Sequence, residues 1–509
     1  MSNDPEHPVD RDPRRLTRRQ VLGAGAGVVG AAALGAYGVS RLSGSADASP
    51  ADIVLRARPG TVELGSRRAA TWTFDGALPG RAVRLRQGKP IRIRVENDLP
   101  EPTSVHWHGI RLHNAAGGVP GFTQDAIEPG DSFVYAFTPP DAGTYFLHSH
   151  VGTQLDRGLY APLIIEPVRE ELSYDREAVL VLDDWLDGVA GTPDRQLAQL
   201  RGSGMNMGSM GMGGGSMGSK VMRAAHTTLA GRSPGLDDLA ELANLMEGGK
   251  VDPGDVKYPL YLINGRPPED PARVMVRPGD RVRLRVINAA ADTAFCFFVE
   301  GHSLTVTHTD GQPVQHVKTD ALVIGMGERY DVLLDARGGS ALRIFAMPLG
   351  KLGRAMAILR YAGSGGAAPT ATAPFKAPVR IASYSDLGDV SGPGASSGAQ
   401  VSRLDLAMKA PYVWTIGGQA FPKADAIRAS RGQVQRFVMR NTTMMPHPMH
   451  LHGHSFRPVG GGPLKDTILV LPRREVSVEW VADNPGAWAF HCHNVYHQEA
   501  GMMRKVEVA

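Results

Sequence analysis

The sequence predicts an all-β protein made of three consecutive Greek-key β-sandwich domains, and three observations carry that expectation. First, residues 86–97, 277–288 and 431–441 repeat one pattern, a Gly turn followed by an alternating strand that ends at Asn97, Asn288 and Asn441. Internal repetition of this kind means that one structural unit occurs three times. Second, period-two alternation of apolar and polar residues marks half-buried strands of an antiparallel sandwich. Abundant Gly (61) and Pro (37) suit short strands joined by tight turns. Third, 509 residues are too many for a single core and fit about three domains.

Taken in order, the chain places Arg18 and Arg19 before a Gly/Ala-rich apolar stretch reaching Val39, and Ala46 and Ala48 offer a cleavage site. A twin arginine ahead of a mild hydrophobic segment reads as a Tat export signal over residues 1–48. The mature chain is then expected to start near Ser49 and to be periplasmic, cell-envelope or secreted, with no stable membrane span after cleavage. The alternative is an uncleaved anchor, since the stretch is near spanning length; its Gly content makes it poorly apolar. The domains are expected at residues 51–168, 175–362 and 376–509, with the Gly/Ala/Pro/Thr-rich run 363–374 as the second linker. Helical pieces interrupt the second domain. In one, Ser233 caps, Pro234 takes the first helical position and apolar residues follow at helical spacing to Met246.

A net charge of +4, with dispersed basic residues and no aromatic–basic stripe, argues against a nucleic-acid partner. The chain is expected to be a monomer. Two cysteines provide no disulfide framework. Cys296, in the apolar run 295–298, reads as a small buried hydrophobe. Cys492 does not.

Cys492, His497 five residues on and Met502 ten residues on are the parts of a blue-copper site, which joins two imidazoles and a thiolate with a long axial Met. His447 can supply the missing imidazole. Four His-X-His pairs accompany it: His106 and His108, His148 and His150, His450 and His452, His491 and His493. Two strand residues advance roughly 6.6 Å with both side chains on one face, which suits ligands of neighbouring ions better than ligands of one. Eight imidazoles are enough for a compact three-metal cluster. Carboxylate-free imidazole beside a Cys–Met site favours copper over magnesium or calcium. Zinc hydrolases also use such pairs, usually with an acid nearby; none lies within two residues of these four. Because side chains alternate along a strand, His491 and His493 point away from the metal of Cys492. The backbone there becomes a short covalent path between two metal centres.

The repeat also places the metal. His106 lies nine residues after Asn97 and His450 nine after Asn441, whereas the same offset from Asn288 reaches Phe297. The cluster is therefore expected to be shared by the first and third domains, with the middle one as a spacer, and folding them together becomes a condition for binding.

On these motifs the chain resembles the multicopper oxidases (laccases, cuprous oxidases, ascorbate oxidase), most of all the bacterial three-domain copper-resistance type, mycobacterial enzymes included. The resemblance implies cupredoxin-like domains and four copper ions: one type 1, one type 2 and a type 3 pair. It assigns His447, Cys492, His497 and Met502 to type 1, and His106 and His450 to type 2. It gives His108, His148 and His493 to one type 3 ion and His150, His452 and His491 to the other. The implied activity is single-electron oxidation of Cu(I) or of phenols, with O2 reduced to water through Cys492 and the cluster.

Met205, Met207, Met210, Met212, Met217 and Met222 sit among Gly and Ser. Thioethers favour Cu(I), so this run reads as a Cu(I)-collecting loop; the alternative is a Gly-rich loop with no ligand role. Met445 is a further candidate, although related cuprous oxidases tend to carry an acid where this chain has Thr443. Gly117 and Gln498 stand where relatives commonly have acids, which leaves Asp125 and Glu499 as candidate catalytic proton donors. Other classes considered are a copper-sequestering protein and a copper nitrite reductase. Neither needs four His pairs.

Overall fold

The computed structural model describes residues 51–203, 251–338, 341–363, 368–375, 378–388 and 398–509. The expected export segment, nearly all of the Met-rich run and the helix at Ser233 lie outside the described residues. Three copies of one two-sheet domain follow each other. In the first, the strands Arg67–Phe74, Ile53–Leu64, Ile91–Asn97 and Ser132–Phe137 lie side by side in that order. The companion sheet is ordered Val83–Arg86, Tyr160–Glu166, Gly143–His148, His106–His108. Leu55, Ile93, Val95 and Tyr135 from one sheet meet Trp107, Tyr145, Leu147 and Leu163 from the other in a shared core. The middle domain uses two six-stranded sheets and the third two five-stranded ones.

Most neighbouring strands are antiparallel, as the alternation suggests, but every sheet also carries a parallel pair that the sequence reading does not include. In every copy the opening strand runs parallel to the Asn-terminated strand: Ile53–Leu64 with Ile91–Asn97, Arg176–Trp185 with Arg281–Asn288, and Gln400–Lys409 with Val434–Asn441. Each companion sheet also holds a parallel pair, and that of the middle domain holds two. Between two such strands the chain crosses to the opposite sheet and back, so they arrive as neighbours pointing the same way. A parallel pair requires such a crossover. Alternation reports which face a residue takes, not the direction of the neighbouring strand.

The Asn that closes each repeat does the same work three times. Asn97 Oδ1 accepts from Leu99 N at 3.0 Å, and its Nδ2 donates to Glu101 O and Ile127 O at 2.9 and 2.7 Å. Asn288 bonds Ala290 N, Thr293 O and Ile324 O in the same way, and Asn441 bonds Thr443 N, Met445 O and Val470 O. A short amide that captures the backbone two residues on makes a tight corner. Burial demands that all of its polar atoms be paired. The corner aims the chain into the next strand at a fixed register. That register sets His106 opposite His148 and His450 opposite His491, while the middle domain sets Phe297 opposite Ala346. The equivalent place in the middle domain is apolar core, and Cys296 is fully buried there.

The two-residue strand Ile381–Ala382 pairs with Ala321–Ile324 of the middle domain. A helix, Pro193–Ser203, follows the first strand of the middle domain. No helix among the described residues is long and apolar enough to cross a membrane.

Candidate metal centre

The His-X-His pairs project from strand ends as the alternation requires. The ring centroids are 5.8 Å apart in His106/His108, 6.0 Å in His148/His150, 4.8 Å in His450/His452 and 5.9 Å in His491/His493. All eight rings are buried. Side-chain donor atoms converge within 4.8 Å in four groups: His106, His108 and His450; His108, His148 and His493; His150, His452 and His491; His447, Cys492 and His497. The first three groups interlock into one nest drawn from the first and third domains.

Backbone carbonyls orient most of these rings. The Nδ1–H of His106 donates to Gly117 O, that of His148 to Ser149 O and that of His450 to Asp466 O, each at 2.8 Å. His491 Nδ1–H donates to Cys492 O at 2.9 Å. With one nitrogen so engaged, Nε2 keeps its lone pair, which is how partner contacts select the ligating atom of an imidazole. His108 is turned the other way: its Nε2 lies 3.2 Å from Thr467 Oγ1 and 3.3 Å from Asp466 Oδ1.

The donor set fits a metal on its own evidence. Nε2 of His106, His148 and His450, Nδ1 of His108 and His452, and both nitrogens of His493 are buried without a partner. Each orphaned buried polar atom costs roughly 1–3 kcal/mol, and so many of them facing one another make sense as ligands. Burial, reinforced by neighbouring imidazoles, pushes the His148 pKa down to about 3 and that of His150 to about 4. Both rings are therefore neutral near pH 7, the form that binds a metal ion.

The sulfur site is a small triangle. Cys492 Sγ lies 3.7 Å from His447 Nδ1 and 3.6 Å from His497 Nδ1, and these two nitrogens are 3.2 Å apart. The helix Val495–Glu499 sets the Cys–His spacing. Its cap, Asn494, accepts from the backbone N–H of Tyr496 and His497. Met502 is fully buried, and its carbonyl accepts from Cys492 N at 3.0 Å. Trp414 lies over the His497 ring at 3.9 Å and edge-on to His447 at 5.2 Å. His447 Nε2 meets Thr443 Oγ1 at 2.9 Å. His497 Nε2 meets Asp255 Oδ2 of the middle domain at 3.0 Å.

The two candidate proton donors are placed differently. Asp125 is exposed. Glu499 is half-buried at the end of the helix, where its Oε1 accepts from Gln498 Nε2 at 3.3 Å. Among the described residues neither makes a hydrogen bond to a nest histidine. The carboxylate that touches the nest is Asp466, which sequence reasoning missed, as it missed Asp255 and Trp414. Asp466 is a lone acid ahead of the apolar strand Thr467–Val470, and no local pattern marks it.

The chain matches the multicopper oxidase family over residues 57–170, 177–364 and 396–509. It is 38% identical to multicopper oxidase MmcO of Mycobacterium tuberculosis, the alignment covering 97% of each chain. It is 29% identical to copper resistance protein A of Escherichia coli, over 87% of this chain and 90% of that one. Among solved structures, a multi-copper oxidase from Pseudomonas thermotolerans aligns with a TM-score of 0.66 and 25% identity, over 90% of this chain and all of the other. The interlocked histidine nest, the sulfur triangle and these likenesses agree: the chain belongs to the multicopper oxidase family, copper-binding oxidoreductases.

Proposed function

We propose that this enzyme is a cuprous oxidase, which takes single electrons from Cu(I) and passes them to O2, reduced by four electrons to water, in the service of copper detoxification. The observation that carries Cu(I) as donor is the cover over His497. Its side chain is 1% exposed, and the ring nitrogen that would face a donor is closed off by Asp255. The same Asp255 Oδ2 accepts from Tyr412 OH at 2.5 Å, and Trp414 covers the ring face. A phenol finds no open imidazole to stack on. A cation meets an acidic cover instead: the side chain of Asp255 is itself buried over the ring, and the half-buried Asp252, three residues before it, donates its backbone N–H to the carbonyl of Met444, 41% exposed, at 2.8 Å. Thioether and carboxylate together suit a soft cation. The name of the Escherichia coli relative, a copper resistance protein, points the same way.

In this proposal the triangle of His447, Cys492 and His497, with Met502, holds the type 1 ion. His106 and His450 hold the type 2 ion. His108, His148 and His493 hold one type 3 ion, and His150, His452 and His491 the other. Copper, when bound, supplies reversible one-electron storage and the affinity for O2. The chain supplies the rest. Cys492 is bonded through backbone to His491 and His493, a covalent path from triangle to nest. Carbonyls and Asp466 hold the rings in their ligating tautomers, and burial keeps water out. We place the domains at residues 51–168, 175–362 and 376–509, the strand Ile381–Ala382 reaching back to the middle one, and read residues 1–48 as a Tat export segment. The chain works as a monomer.

The test is copper-dependent oxygen uptake with Cu(I) set against a phenol. Preference for Cu(I) supports the proposal. Preference for the phenol makes the enzyme laccase-like, and copper uptake without oxygen consumption makes it a sequestering protein.

A further inference from the structure

The middle domain, expected as a spacer, reaches the histidine nest through one side chain. Arg329 opens the strand Arg329–Asp335 and is 0% exposed. Its guanidinium makes two parallel bonds to Asp466 of the third domain, Nη1 to Oδ1 at 2.8 Å and Nη2 to Oδ2 at 2.6 Å. Nε donates to Thr144 O of the first domain at 3.2 Å, on the strand that ends in His148. Nη1 also donates to Gly327 O at 2.9 Å. One planar group thus ties all three domains.

Asp466 passes this fixation on. Its Oδ1 lies 3.3 Å from His108 Nε2 and 3.4 Å from His450 Nδ1. Thr467 Oγ1 donates to the same Oδ1 at 2.8 Å, and so turns its lone pairs to the same two ring nitrogens, at 3.2 and 3.1 Å. An ionised carboxylate only accepts hydrogen bonds. The proton of His108 therefore sits on Nε2, and Nδ1 is the atom left to ligate. This is the reverse of His106, His148, His450 and His491. Without its partner, a carboxylate this buried would be strongly unfavourable; the bidentate fork neutralises it and fixes its plane.

Two glycines show how closely the parts are fitted. Gly109, next to His108, has φ +88, and a Cβ there would run into Arg329 Nη2 and Asp466 Oδ2. Gly327, with φ +84, packs so closely that a Cβ would lie 2.9 Å from His493 Cδ2 and 3.0 Å from His108 Cε1.

We propose that Arg329 is a positioning residue of the nest: by holding Asp466 it sets the tautomer and tilt of His108 and His450, so copper retention in the nest is governed from the domain that contributes none of its ligands. The inference rests on the assignment of the eight histidines to copper.

The test uses the full chain loaded with copper, and follows copper content, the electron paramagnetic resonance signal of the nest and the blue absorbance of the Cys492 site. Arg329→Met should keep the blue absorbance and hold nest copper roughly 10–100-fold less tightly, the usual cost of losing an outer partner of a ligand. Arg329→Lys, which keeps the charge but not the fork, should restore part of it. Asp331→Asn serves as the structural control. It breaks another buried pair, with Arg283 and Arg285, that touches no nest histidine but holds Thr144, on the same strand, as Arg329 does; it therefore controls for loosening of that strand, and should lower stability while leaving the nest signal unchanged. An Arg329→Met protein with the parental nest signal and copper content overturns the inference. So does equal loss of nest copper in Asp331→Asn. Should Arg329→Met fail to fold, Asp466→Asn gives the same reading: an altered nest signal with retained blue absorbance supports the inference, and an unaltered one overturns it. A parent chain that takes up no nest copper removes the copper assignment itself, and this inference with it.

Discussion

Replacing Asp331 with Asn cuts the clamp between the first and middle domains, and the geometry of that clamp sets the direction of its pH dependence. Asp331 is 1% exposed. Its Oδ2 accepts from Arg283 Nε at 3.0 Å and Arg285 Nη1 at 3.2 Å, and its Oδ1 accepts from Thr144 Oγ1 of the first domain at 2.6 Å. Burial alone would raise its pKa, but the two guanidiniums overcome that and hold it at about 2, against an ordinary 3.8. At about 1.36 kcal/mol per pH unit, that gap is worth on the order of 2 kcal/mol of folding free energy. A depressed carboxylate contributes this stability above its unfolded pKa and loses it as pH falls through the folded one. The window is therefore pH 3.8 down to about 2. Near neutrality the variant leaves two buried cations short of a partner and should lose about 3–5 kcal/mol. The assay is urea unfolding of parent and variant at several pH values. The stability gap between them should hold constant from pH 7 to 5, narrow by roughly 1 kcal/mol by pH 3 and close further below. A gap that does not change between pH 6 and 3 would refute the reasoning.

Three further outcomes are expected. Cys492→Ser should abolish both the blue absorbance and oxidase turnover, and turnover that survives rules out the covalent path. Asp255→Asn should depress Cu(I) oxidation more than phenol oxidation, because it removes the negative charge of the cover over His497; equal loss on both donors rejects that acidic cover as the side of cation approach. Deleting residues 203–219 should slow Cu(I) oxidation more than phenol oxidation, and an even effect dismisses the Met-rich run as a copper collector.

Much of this arrangement could be read from the chain because it rests on local repetition. The nine-residue offset from Asn97 to His106 and from Asn441 to His450 reflects a buried corner that fixes strand register, and Phe297 sits where that offset puts it, opposite Ala346. The His-X-His spacing is equally local, since two residues on one strand share a face. The parallel strand pairs were not visible, because a Greek-key crossing leaves no trace in the alternation of either strand. Arg329, Asp466 and Asp255 were not visible either. Each is a single charged residue whose meaning comes from partners more than a hundred residues away, as with Arg329 and Asp466, 137 positions apart. For the same reason the middle domain read as a spacer, although it supplies both the guanidinium behind the nest and the carboxylate over His497.

The central claim is that Cys492 joins a sulfur-bound copper to a three-copper nest shared by the outer domains, and metal content tests it most directly. Copper-reconstituted protein should hold four copper ions per chain, one of them giving the blue absorbance of a thiolate site. One ion per chain, or none, would contradict the account.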